Sequence, residues 1–229
     1  MKNKNIVVVQ NLLRNLPLAV LKDAEVVANL VRAFGIMDWG HTSGPEARFI
    51  GQGASLGQTP DQIAKLLVYM SAFKLDSFCE IGIYYGANFL FCSEYLRRFN
   101  PGIQCLGIDP TGLLDDEILI IINTEMWLIH KSVTSDEIKG QAFDFVFIDA
   151  EHNAPWPKKD YENLGQYAKF CAFHDLQEPL WPDVGVLWET LKKVPGKAMV
   201  EFLDDPSEQK THGIGLIYNK EQDTQKGEK

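Results

Sequence analysis

Two largely apolar runs, residues 143–148 and 169–173, each end in groups able to do chemistry. The first runs into Asp149, with His152 three residues on; the second runs into His174 and Asp175. Two carboxylates that meet at one point can hold a hard divalent cation such as Mg²⁺, with waters and substrate oxygens completing its shell. An imidazole is a softer ligand, more usual for zinc or iron. His152 also has the ring chemistry to take a proton from a substrate hydroxyl near neutral pH. Quieter roles fit the same residues: a His-Asp pair bonded to substrate or backbone, and a loop histidine that fixes its turn. Trp156 and Trp181 lie in Pro-rich stretches nearby and can wall an aromatic or sugar-like substrate, whereas Trp188 falls at core spacing.

A second group lies upstream, in Glu80-Ile81-Gly82-Ile83-Tyr84-Tyr85-Gly86. Its glycines permit a sharp turn and close approach of a ligand to the backbone, and a following helix would offer free N–H groups. The dinucleotide fingerprint needs three glycines at a different spacing, which disfavours a pyrophosphate cradle. Asp109 follows Gly86 at roughly the twenty-residue interval expected of a carboxylate on ribose hydroxyls. An Asp before Pro is by itself an ordinary turn former. Joined to Glu80 and the glycines, it suggests a nucleoside lying across two strand ends.

The elements that must position these groups alternate. Residues 78–82, 104–108, 143–148 and 169–173 read as short buried strands, with a further strand near 127–130. Helices are expected at 87–99, within 113–126, at 158–167 and after Asp183, whose buried face would be Val184, Leu187, Trp188 and Leu191. A helix beginning at Pro60 has Thr59 as its N-cap and Gln62 completing a capping box. Residues 6–35 read as one helix ended by Gly35, and residues 36–58, with five glycines, as a loop. Two last strands, 198–203 and 214–218, can pair as a hairpin around a polar loop. This order predicts an α/β, Rossmann-like, doubly wound and mostly parallel sheet with a terminal antiparallel hairpin and an N-terminal helical cap. Ligands bind such sheets beyond the carboxyl ends of the strands, where all the groups above fall.

Three segments together, Glu80-Ile81-Gly82 through Gly86, Ile108-Asp109 and Phe143 through His152, resemble the motifs of class I S-adenosylmethionine-dependent methyltransferases. The resemblance is closest to small-molecule O-methyltransferases of the catechol, macrolide-sugar and cephalosporin-hydroxylase-like groups. It implies S-adenosylmethionine as cofactor, with Gly82 and Gly86 under its methionine part and Glu80, Tyr84 and Asn88 in the same motif. It further implies Asp109 on the ribose, Ser132 near adenine, and Asp149 where cofactor meets acceptor. Metal-dependent members place acidic residues at the ends of the fourth and fifth strands, which implies a divalent cation, Mg²⁺ or another, on Asp149, His174 and Asp175. His152, with Asp149, then carries the catalytic proton transfer. The chain departs from the pattern at Ala87-Asn88, where Gly-Ser is usual. It departs again at Asp175-Leu176, where Asp-Asn is usual, and in lacking a Gly-Gly turn before the fifth strand.

A formal net charge of -9 repels phosphate backbones, so nucleic acid is not an expected partner. No apolar run is long enough to span a bilayer, and no signal-peptide pattern opens the chain. Cys79, Cys92, Cys105 and Cys171 form no Cys-x-x-Cys pair, so reduced buried thiols and a cytoplasmic location are expected. The expected organisation is an N-terminal helical segment (1–56), the main domain (57–219) and a polar tail (220–229). The stripe Val26, Val27, Leu30, Val31 and Phe34 must be covered, either by the cofactor domain or by a second copy in a homodimer. Small-molecule O-methylation is the expected function. Its rivals are a metal-dependent hydroxylase-like enzyme on the same fold and a silent nucleoside-binding module.

Overall fold

In the computed structural model, which describes residues 3–37, 49–203 and 212–225, the predicted alternation becomes a seven-stranded sheet. Its strands are β1 (Ser77–Ile81), β2 (Gln104–Ile108), β3 (Leu128–Lys131), β4 (Phe145–Ile148), β5 (Phe170–Phe173), β6 (Lys197–Phe202) and β7 (Ile214–Asn219). The order is β3-β2-β1-β4-β5-β7-β6, with β1 to β5 parallel and β7 antiparallel to both β5 and β6. The chain reverses direction across the sheet between β1 and β4, which is the switch point where ligands lie.

Pairing fixes the row at which the strands stop. Ile81 pairs with Ile148, Ile148 with Phe173, and Phe173 with Gly215. Gly82, Asp149 and His174 therefore follow one another along a single edge. Because β7 runs the other way, the residues before it, His212 and Gly213, arrive at that same edge.

Alternation of side chains gives each sheet face its own core. Phe78, Phe145, Phe147, Phe170 and Leu216 lie in one cluster, with α4 (Pro60–Met70), α5 (Ala87–Phe99) and the N-terminal helices. Cys79, Ile81, Val146, Ile148, Cys171 and Phe173 lie in the other. That cluster is completed by α8 (Pro182–Leu191) through Val184, Trp188 and Leu191, with Leu187 half-buried against them. The remaining helices are α6 (Asp116–Thr124), capped by Asp115, and α7 (Trp156–Asn163). All four cysteines are buried and free, and no helix among the described residues is long and apolar enough to cross a membrane.

Several local expectations are corrected. Residues 6–35 form three helices: α1 (Asn3–Asn15), α2 (Leu18–Leu21) and α3 (Ala24–Phe34). Pro17 lacks the N–H that would continue α1, and the Asp23 carboxylate restarts the chain by accepting from Glu25 N at 2.9 Å. The apolar stripe of α3 packs inside the chain, with Phe34 edge-on to Phe91 at 5.5 Å. The segment expected as a cap shares one core with the sheet. It is locked there by Glu94 of α5, a buried carboxylate that accepts from Gln10 at 2.8 Å and is paired with Arg14, both on α1. Thr59 stands at the N-cap of α4 but makes no side-chain cap bond. Gln62 accepts instead from Gly213 N at 3.0 Å, tying α4 to the start of β7. Asp183 lies inside α8, and its carboxylate accepts from Ala154 N at 2.7 Å. Residues 220–225 form a turn of 3₁₀ helix. The glycines at 40 and 44, the polar loop 204–211 and the last four residues lie outside the described residues.

Gly82 explains why the first motif begins as it does. Its φ is +86°, and a Cβ there would lie 2.1 Å from the Asp149 carbonyl oxygen. Only a glycine lets the end of β1 lie flat against the end of β4. Gly82→Ala adds backbone strain to a collision with immovable main chain, so a loss of more than about 2 kcal/mol is expected in chemical denaturation.

Candidate active site

Beyond that edge lies one cavity of about 730 Å³. Of the residues singled out from sequence, Glu80, Gly82, Tyr84, Asn88, Asp109, Asp149, His152, His174 and Asp175 all line it. Gly86 and Ser132 do not. Gly86 is the left-handed residue before α5, and a Cβ there would meet Leu114 and Ile118 rather than the cavity. Ser132 is exposed, and the wall after β3 is made by Val133, Thr134 and Ser135. Trp156 and Trp181 stand at the opposite end, the latter stacked on His152 at 5.6 Å, whereas Trp188 is buried in the core as expected.

At the β1–β2 end, Asp109 shapes the turn that it faces. One oxygen accepts from Tyr84 N at 2.8 Å, and the other from Thr111 N at 2.8 Å and Thr111 Oγ1 at 2.5 Å. The bond to Tyr84 holds that residue at φ +48°, in the left-handed region. Each oxygen keeps lone-pair capacity toward the cavity. Glu80 is 1% exposed; Oε1 accepts from Asn88 at 3.1 Å and Oε2 has no hydrogen-bond partner among the described residues. Burial holds its carboxyl well above the usual carboxylate range, opposed by Asn88 and reinforced by the charge of Asp149.

The β4–β5 end is a cluster of carboxylates and imidazoles. His152 Nε2 lies 2.8 Å from Asp175 Oδ2 and 3.6 Å from Asp149 Oδ1. His174 Nδ1 sits between the same two oxygens at 3.2 Å from each. His212 Nδ1 reaches the other oxygen of Asp175 at 2.7 Å, and Gln58 donates to Asp149. Burial by itself would neutralise these groups, but the opposite charges prevail. Asp149 is lowered to about 2 and Asp175 further, both chiefly by His174, and His152 is raised to about 9 by the two carboxylates. His174 is held well above its usual range by the same pair.

Sequence reasoning missed His212, Gln58, Ser135 and Asp160 on this wall. Asp160 of α7 accepts from Ser135 at 2.6 Å, and burial pushes its carboxyl up to about 6. The signal for His212 was topological: a residue preceding an antiparallel strand arrives where its parallel neighbours end.

The sequence matches no protein-family model and no curated protein. Solved structures match the fold. One is an O-methyltransferase from Streptomyces achromogenes involved in tomaymycin synthesis, in complex with SAM, at 17% identity and TM-score 0.52 over 72% of this chain and 81% of that one. Another is an O-methyltransferase from Bacillus cereus in complex with SAH, at 13% identity and TM-score 0.52 over 96% of this chain and 100% of that one. A putative RNA methyltransferase from Pyrococcus horikoshii also matches, at 10% identity and TM-score 0.53 over 86% and 98%. The chain thus shares the α/β fold of these structures, and the predicted Rossmann-like architecture with its antiparallel end is observed.

The shifted acids and bases set a pH profile for the metal-free protein. Asp149, at about 2 when folded, adds stability above its unfolded value of about 3.9 that is lost as pH falls toward 2. His152, at about 9 when folded, adds stability below its unfolded value of about 6.5 that is lost as pH rises through 9. Calorimetric Tm in chelator should therefore peak between about pH 4 and 6.5 and decline toward pH 9, with a shallower alkaline limb in His152→Gln. A Tm that climbs steadily from pH 6.5 to 9 would contradict this account.

Proposed function

We propose that the chain transfers a methyl group from S-adenosylmethionine to an oxygen of a small molecule. The observation that carries this reading is Glu80, a buried carboxylate on the cavity wall with one oxygen unpartnered among the described residues. A buried acid of that kind calls for a cation, and the methyl donor brings an ammonium and a sulfonium. Asp109 accepts from the ribose hydroxyls with the lone pairs that Tyr84 and Thr111 leave free. The Val133–Ser135 edge takes adenine, one turn beyond the position of Ser132. Gly82 gives the methionine part a bare stretch of backbone.

The sulfonium carries its own leaving group, so the protein's work is to align the acceptor oxygen, hold its proton and exclude water. Trp156 and Trp181 wall the acceptor. Asp149, His174 and Asp175 offer donors that fit a divalent cation, His174 being buried with Nε2 unpartnered among the described residues. Such a cation, when bound, lowers the pKa of an acceptor hydroxyl. His152 is held protonated at neutral pH by the two carboxylates beside it, and it acts as base from the fraction that has lost that proton to solvent. While protonated, His152 is ion-paired with Asp175, whose Oδ2 lies 2.8 Å from its Nε2. A hydroxylase-like metal enzyme is the second reading, favoured by the imidazoles around Asp175.

Calorimetry with S-adenosylhomocysteine tests the first reading. Binding should weaken by roughly 1–3 kcal/mol in Asp109→Ala. Burial holds the Glu80 carboxyl well above its usual range, so binding of the ammonium should draw proton from it into the buffer and make the enthalpy depend on buffer ionisation heat; Glu80→Gln should abolish that dependence. Binding of NAD with no binding of S-adenosylhomocysteine would remove the reading.

A further inference from the structure

We propose that His174, Asp175 and His212 bind a borderline-soft divalent transition ion, of the Zn²⁺, Fe²⁺ or Co²⁺ type, with His212 as a ligand from the far end of the chain. This rests on the reading of the β4–β5 end of the cavity as the acceptor end. Each residue offers one donor atom, and the three lie within 4.8 Å of one another. Asp175 is the fixed point: Oδ1 faces His212 Nδ1 at 2.7 Å, and Oδ2 faces His174 Nδ1 at 3.2 Å. The two imidazoles stack nearly parallel at 5.4 Å and 11°.

Main-chain geometry commits both ends of this set. Asp175 and His212 hold φ +61° and +63°, a left-handed conformation that side-chain-bearing residues rarely adopt. They are cross-linked there, with Gln177 N donating to His212 O at 2.7 Å and Gly213 N to Gln62 Oε1 at 3.0 Å. His174 is 5% exposed, so it cannot turn to water for a partner. Two imidazoles and one carboxylate are the donors that iron, zinc and cobalt take, whereas Mg²⁺ prefers oxygen and keeps its waters. Asp149 and His152 form a second set of close donors through the same Asp175, and they remain toward the acceptor.

Full-length protein, stripped with chelator, would be titrated with Co²⁺ while its visible d–d absorption is followed. One Co²⁺ per chain is expected, displaced by equimolar Zn²⁺ and untouched by a roughly hundredfold excess of Mg²⁺. His212→Ala, and His212→Gln as a variant that better preserves packing, should weaken Co²⁺ at least about tenfold and change the spectrum. His130→Ala, away from the site, should do neither. Displacement by stoichiometric Mg²⁺, or wild-type Co²⁺ affinity in both folded His212 variants, would overturn the proposal. S-adenosylhomocysteine calorimetry on the same samples separates the two readings. Lost cobalt with intact nucleoside binding sinks this site alone, and bound cobalt without nucleoside binding sinks the methyl-transfer reading alone.

Discussion

Parallel pairing of β1, β4 and β5 brings three strand ends to one row, and the row holds only because Gly82 lets main chain lie against the Asp149 carbonyl. A slip of one residue between any two of these strands would turn its end group to the opposite face of the sheet. Asp149 and Asp175 would then no longer share an imidazole, and Glu80 would leave the cavity. The apolar clusters on the two faces specify that register through alternation: Phe78 and Phe145 on one side, Cys79 and Val146 on the other.

This dependence explains what was legible in the sequence. Strand existence and the alternation with helices followed from short apolar runs between turn residues, and β2 and β4 end where Asp109 and Asp149 begin. The β4–β5 cluster was readable through Asp149, His174 and Asp175, which come at once after a strand, and through His152 three residues beyond Asp149. His212 was not, because its position depends on β7 entering between β5 and β6, a pairing fixed by long-range contacts rather than by any local pattern. Ser132 was placed from a resemblance alone. Ser135 lies three residues on, at the start of a one-turn 3₁₀ helix with a Thr134–Glu137 capping box. Gln62 carried a capping signature, but tertiary demand from the Gly213 amide outweighed it.

The electrostatics of the molecule divide in the same way. A chain of net charge -9 concentrates three histidines around two carboxylates, Asp175 buried and Asp149 partly so. Each carboxylate is tolerable in a low-dielectric place only through those imidazoles. The opposite end of the cavity keeps an acid, Glu80, whose one side-chain hydrogen-bond partner among the described residues is the Asn88 amide. One end therefore carries its compensation built in, and the other does not.

The place of β7 in the sheet also bears on how the chain is made. During synthesis the first five strands emerge in order and can pair as they appear, but β6 has no neighbour until β7 follows it. Until β7 is in place β5 is an edge strand, and Asp175 lacks its His212 partner. A chain halted before β7 would possess the β1–β2 end of the cavity and lack His212 on the wall of the other. Maturation of the two ends is thus staggered in time, with the histidine-rich end completed last.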